Sequence, residues 1–295
     1  MTEISSRPIS LRIHAGWCDD QSIFSILRTH LKDGDHWNNI ILVDEGEPDW
    51  WVVLNYPRPG FNPDPSRTLY YQFEPSWIRS KWPYPWSDPP VNYVAGCYPI
   101  SRHYMPIKWG ASYRKSWKYL AEHSPAKSHL ISAVISDKNH SPLAKLRREF
   151  IINHASDISE IDIFGHWKSS PCRAYRGSLH DKSHGLLPYK YTVAIENCHE
   201  RNYFTEKITD AIVSETLAFY SGCPNLVDFI DPNCFIEIDF ADPINARDVI
   251  EESIASDQWR LRLSALREEK KKILHDKHFF ADIERHINLA MKSEC

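Results

Sequence analysis

Short apolar runs alternate with amphipathic stretches along most of the chain. Ile9 to Ile13, Ile40 to Val43, Trp51 to Leu54, Thr68 to Phe73 and Val91 to Val94 have the length and residue types of strands. Between the first two, Ile23, Ile26, Leu27 and Leu31 recur at helical spacing and predict a helix over Gln21 to Lys32. A boundary is expected near His123 to Lys127. A second series follows it: strand His129 to Ile135, helix Pro142 to His154, strand Ile161 to Phe164, strand Tyr191 to Ile195, helix Thr205 to Ser214, strand Thr216 to Tyr220 and a short strand Phe235 to Ile238. The stretch from Ala246 to Lys292 reads as helical, with breaks near Ser256 and His275. Strands that alternate with helices form parallel sheets. The expected fold is therefore α/β, with two doubly wound domains facing each other across a central cleft.

Proline changes the picture only between Asn55 and Pro99, in NYPRPGFNPDPS and KWPYPWSDPP. So much proline excludes long helices there and implies ordered loops around short strands, which in compact domains usually carry function. The chain also holds 11 Trp and 14 Tyr among 295 residues, many in its first half. Such rings fill cores and also make platforms for sugar rings.

Charge and cysteine content exclude several classes. A formal net charge of −4 offers nothing to a polyanion, so no nucleic-acid partner is expected. The run Arg267 to Lys272 mixes both signs and reads as a solvated helix face. The 7 cysteines lie singly without CxxC spacing, which argues against a disulfide scaffold and a structural zinc site. No apolar run is long enough to span a bilayer, and MTEISSRPIS lacks a signal-peptide core. A soluble, cytoplasmic protein is expected if the chain is complete; a Golgi-type anchor requires that the chain was truncated.

Candidate chemistry gathers in YTVAIENCHERNYFTEK, Tyr191 to Lys207. A strand ending in Glu196-Asn197, then a short loop and a helix capped by Thr205, is how open α/β sheets build ligand crevices. Lys207 sits in the first turn of that helix, against the helix dipole. A bound phosphate relieves the conflict; the alternative is a lysine that bends back into water. From the helix LAKLRREFII, Arg147 or Arg148 could reach the same crevice. Glu74, in LYYQFEPS, ends a strand where a general base could stand, or marks an ordinary strand-to-loop junction.

The residues YKYTVAIEN, NYFTEK and LAFYSGCPNLVDFIDPNCFIEID resemble the donor-binding half of the α-1,3/4-fucosyltransferases, glycosyltransferase family 10. The resemblance covers Leu130 to about Ile287, and more weakly YYQFEPS and KWPYPWSDPP. It implies a GT-B fold with an acceptor-binding domain at 1–127, a GDP-fucose-binding domain at 128–274, and a C-terminal helix at 275–295 that packs back on the first domain. It implies inverting transfer of L-fucose from GDP-β-L-fucose to a glycan hydroxyl, an α-1,3-type linkage, and no metal or other cofactor. Lys207 and Arg147 would face the donor phosphates, Glu206 the fucose or ribose hydroxyls, and Asn197 and Tyr203 the nucleotide; Glu74 would be the general base. The family neighbour Gly-Glu-Asn is replaced here by Phe73-Glu74-Pro75. The DxD-type stretch Asp33-Gly34-Asp35 is expected to be a turn rather than a metal site. Two rivals remain: a GT-B transferase for another nucleotide sugar, and a carbohydrate-binding relative without turnover.

Overall fold

The computed structural model describes residues 7–79, 93–96, 110 and 112–293. The tract KWPYPWSDPP and the residues on either side of it, including Trp82, Trp86 and Trp109, lie outside the described residues. By its internal contacts the chain divides into two units. The first comprises Met1–Pro106, Ser116–Tyr119 and His275–Cys295, and the second Ile107–Lys115 and Leu120–Leu274.

The first unit contains strands β1 (Ile9–Ala15), β2 (His36–Trp37), β3 (Ile40–Leu42), β4 (Trp50–Leu54), β5 (Thr68–Gln72) and β6 (Tyr93–Gly96), with helices α1 (Asp20–Arg28) and α2 (Ser76–Arg79). Its sheet order is β2-β3-β1-β4-β5-β6, parallel apart from the β2–β3 pair. A short helix, α3 (Trp117–Glu122), leads into the second unit. That unit runs through β7 (His129–Val134), α4 (Pro142–Asn153), β8 (Ile161–Phe164), β9 (Tyr175–Gly177), β10 (Tyr189–Ile195), α5 (Glu206–Val213), β11 (Leu217–Ser221), β12 (Phe235–Glu237), α6 (Pro243–Ala255) and α7 (Gln258–Leu274). The final helix, α8 (Phe279–Ser293), belongs to the first unit, where Phe279, Phe280, Ile283 and Ile287 enter the core around Leu11, Ile13 and Val52.

The second sheet is parallel throughout, in the order β12-β11-β10-β7-β8-β9. From β7 the chain winds outward through β8 and β9, then returns to β10 and winds the other way. The reversal falls between β7 and β10, and a crevice outside the strand carboxyl ends is expected at such a point. Two helices follow those strands, α4 after β7 and α5 after β10. Strand β10 is buried on both faces from Tyr191 to Ile195, as expected of a central parallel strand.

Several expectations need correction. Helix α1 stops at Arg28 rather than Lys32, because Thr29 caps it and the N–H groups of His30 and Leu31 bond three residues back, to Leu27 and Arg28. Leu31 still reaches the core, so its apolar spacing mimics continued helix. Strand β5 ends at Gln72, one residue early, where the Phe73 N–H bonds to the Asn55 side chain at 2.7 Å instead of to a strand. Strands β2 and β9 are too short to stand out as apolar runs. The mixed-charge run on α7 is not simply solvated: Glu269 and Lys270 are buried, and Lys270 donates to Glu215 at 3.0 Å and to the His123 carbonyl at 2.9 Å. The turn expected at Asp33-Gly34-Asp35 is present, with Gly34 at φ +56° and Asp33 bridging to His36. Trp37 and Trp50 are buried, so these two indoles serve packing.

Candidate active site

At the reversal point, the end of β10 is tied to the starts of both flanking helices. The Glu196 N–H bonds to the Ser221 carbonyl at 2.8 Å, extending the pairing of β10 with β11 by one residue. Ser141 caps α4, accepting from the Ala144 N–H at 3.2 Å, and its hydroxyl donates to the Asn197 carbonyl. Pro142 follows at the first helical position, where its missing N–H costs nothing. Glu196 accepts the Thr205 N–H at 2.8 Å and the Thr205 hydroxyl at 2.7 Å. Thr205 in turn caps α5. The dipeptide Glu196-Asn197 thus joins two helix N-termini, where backbone N–H groups and helix dipoles favour negative charge.

Two cations stand beside that dipeptide. On α4, Leu143, Ala144, Arg147, Phe150 and Ile151 form the buried stripe, so Arg147 projects inward although it is charged. It is 4% exposed. One guanidinium nitrogen donates to the Ile195 carbonyl and to Asn197 Oδ1, both at 3.2 Å. Its buried Nε has no hydrogen-bond partner among the described residues. Burial lowers the Arg147 pKa, opposed by the charge of Glu196 and by Tyr203. Arg148 points elsewhere and lies over the Trp167 ring at 5.9 Å. On α5, Lys207 Nζ donates to Glu196 Oε2 at 3.1 Å and to Thr205 Oγ1 at 2.9 Å, with Glu206 at 3.7 Å. Burial opposes its charge, but Glu196 and Glu206 outweigh that and raise its pKa, while Arg147 is close enough to push the other way.

The dipole conflict at Lys207 therefore has an answer that differs from the expectation. The buried carboxylate of Glu196, 0% exposed, already supplies a counter-charge, and no bound anion is needed to explain a lysine in the first turn. The motif contains Glu196, but its spacing alone does not reveal this role. Its signal was a carboxylate joined directly to a fully apolar strand, with no turn residue between.

Arg147, Asn197, Glu196 and Lys207 are thus brought together. Tyr203 is buried beside them, preceded by Asn202 at φ +64°. That turn is braced by Asn225, whose side chain accepts the Asn202 N–H at 2.8 Å and donates to the Asn202 side chain at 2.8 Å. Glu206 is more than a third exposed at the helix start. Gly222, after β11, explains how a buried glutamate fits: a Cβ there would fall 2.4 Å from Glu196 Cγ. Glu74 belongs to the first unit, two residues beyond β5 and half-buried. The backbone there is anchored by Asn55, at φ +60°, which bonds to the Tyr71 carbonyl at 2.7 Å and receives the Phe73 N–H. Among the described residues no group of three or more His, Cys, Asp and Glu is placed to hold a metal ion.

Two Rossmann-like α/β units, one of which gathers two cations at its strand reversal, have the fold of GT-B glycosyltransferases. A crystal structure of an α1,3-fucosyltransferase with GDP superposes with a TM-score of 0.54 at 19% identity, covering 95% of this chain and 94% of that one. A crystal structure of an α1,3-fucosyltransferase with GDP-fucose gives a TM-score of 0.52 at 19% identity, over 89% and 83% of the two chains. Residues 124–262 match the family model of glycosyltransferase family 10 (fucosyltransferase), C-terminal part. The α-(1,3)-fucosyltransferase FucT of Helicobacter pylori is 33% identical over 61 residues, which is 21% of this chain and only 13% of the length of that relative. No helix among the described residues is long and apolar enough to cross a membrane.

Proposed function

We propose that this protein is an inverting fucosyltransferase that moves L-fucose from GDP-β-L-fucose to a hydroxyl of a glycan acceptor, with an α-1,3-type linkage. The observation that carries the reading is the pair Arg147 and Lys207. They come from the two helices flanking the strand reversal, meet around Glu196-Asn197, and leave the Arg147 Nε without a partner among the described residues. A diphosphate supplies an acceptor oxygen for that Nε and a second anion for the Lys207 ammonium to share. The match of residues 124–262 to the family 10 fucosyltransferases supports a fucosyl donor.

In this reading 128–274 is the donor-binding domain and 1–127 binds the acceptor, with the helix at 275–295 supporting the latter. Glu74 takes the proton of the acceptor hydroxyl. The acceptor oxygen attacks the anomeric carbon opposite the diphosphate, the carbon–phosphate oxygen bond breaks, and the bond's electron pair leaves with GDP. Configuration inverts in the single displacement. Diphosphate needs no proton to depart, so one base suffices. Arg147, Lys207 and the positive end of the α5 dipole stabilise the charge that develops on GDP. Asn197 and Tyr203 line the nucleotide, and Glu206 binds hydroxyls of the fucose or ribose. Two cations take the place of a metal, so turnover is expected to survive a chelator.

A panel of glycans incubated with GDP-fucose tests this. Transfer to a glycan, with the anomeric configuration inverted and unchanged by EDTA, supports the reading. Preference for a UDP-sugar in isothermal titration contradicts it and favours the rival GT-B transferase; GDP binding without turnover on any glycan favours a carbohydrate-binding relative.

A further inference from the structure

The proposed diphosphate site contains a carboxylate that the reaction does not require. Glu196 lies against the same cations that would hold an anion, and a negative charge there weakens the anion's binding. The fold is nonetheless shaped around it. Gly222 leaves room for its methylenes, and both of its oxygens are bonded. A neutral glutamine at this position could still accept the Thr205 N–H and bond the Thr205 hydroxyl, so capping of α5 does not call for charge. What the charge adds is a partner for Lys207 and a favourable field on Arg147, whose hydrogen bonds go only to neutral acceptors.

We propose that Glu196 is a positioning residue: it is the internal counter-ion that holds Lys207 at the start of α5 when no diphosphate is bound, shares the Lys207 ammonium with the diphosphate when one is, and so limits how tightly the GDP product is retained. This rests on the diphosphate site described under Proposed function. The consequence has an unusual sign. A residue needed only for structure weakens ligand binding when altered, whereas removal of this charge strengthens it. In Glu196→Gln the amide keeps the bonds to Thr205 and leaves Lys207 free for the ligand. GDP affinity is expected to rise about tenfold, the size expected of a unit charge a few ångströms away after partial screening. Because the product is held longer, kcat and the donor KM fall together.

The test is isothermal titration of GDP into the full chain, as wild type, Glu196→Gln, Lys207→Met and the double variant, with steady-state transfer kinetics alongside. The expected result is tighter GDP binding by Glu196→Gln, with a clearly smaller gain when Lys207→Met is also present, since the part of the effect that runs through that side chain is then gone. Equal or weaker binding by a folded Glu196→Gln overturns the proposal, as does a gain that persists undiminished without Lys207. If Glu196→Gln alone does not fold, urea unfolding of the other two variants decides. The double variant should be more stable than Lys207→Met, which leaves a buried carboxylate without its counter-ion; the opposite order overturns the proposal. A wild-type chain that binds no GDP removes the diphosphate site itself, and GDP binding without this tightening removes only the role of Glu196.

Discussion

Glu196 and Thr205 are joined twice: one carboxylate oxygen accepts the Thr205 N–H at 2.8 Å and the other its hydroxyl at 2.7 Å. The end of a central strand and the start of the following helix are thereby fixed to each other across the loop between them. Thr205→Val removes the hydroxyl while keeping the shape. It leaves Glu196 short of a donor and α5 without its side-chain cap, for an expected loss of about 1–3 kcal/mol in urea unfolding. A change of only a few tenths would mean that this link adds little to the second unit.

A buried histidine gives the first unit an expected pH dependence of its own. His14, 1% exposed at the end of β1, stacks on Phe61 at 3.7 Å, accepts the Arg58 N–H at 3.1 Å and lies 2.9 Å from Asp20. Burial pushes its pKa down to about 4; Asp20 opposes this, and Arg58 and Arg12 push the same way. The unfolded chain, with an ordinary value near 6.5, binds the proton first. The stability held by neutral His14 is therefore complete above about pH 6.5 and lost as pH falls toward 4. The expected loss in the first unit is about 3 kcal/mol over that window, seen as a falling urea midpoint, and His14→Gln should flatten it. A wild-type midpoint that does not change between pH 7 and 4 contradicts this.

Glu74 carries the proposed proton abstraction, and it stands in a different unit from the diphosphate cations. Glu74→Gln keeps size and polarity but cannot take a proton. Transfer is expected to fall by about two to four decades, while GDP affinity stays within about twofold of wild type. Loss of GDP binding would assign Glu74 to the donor instead.

Much of this was legible in the sequence because central parallel strands are uninterrupted apolar runs and capped helices start on recognisable residues. Strand β8 and the breaks between α6, α7 and α8 follow from those signals alone. Spacing leaves Arg147 and Arg148 both open, since each is three or four positions from apolar residues, and only the resemblance points to Arg147; in the fold Leu143, Arg147, Phe150 and Ile151 form the buried side of the helix. What sequence could not supply was pairing at a distance. Lys207 looked like a cation in search of an anion because its partner, Glu196, is 11 positions earlier on another element. The need for Gly222 was likewise invisible, since it arises from the close approach of Glu196 across β10 and β11 rather than from its own loop.

The central claim is that Arg147 and Lys207 together hold a diphosphate, and isothermal titration of GDP into wild type, Arg147→Met and Lys207→Met tests it most directly. Wild type should bind, and each variant should lose about two decades or more in affinity, which is about 3 kcal/mol for a buried charge-assisted contact. Variants that remain folded and bind GDP as tightly as wild type would contradict it.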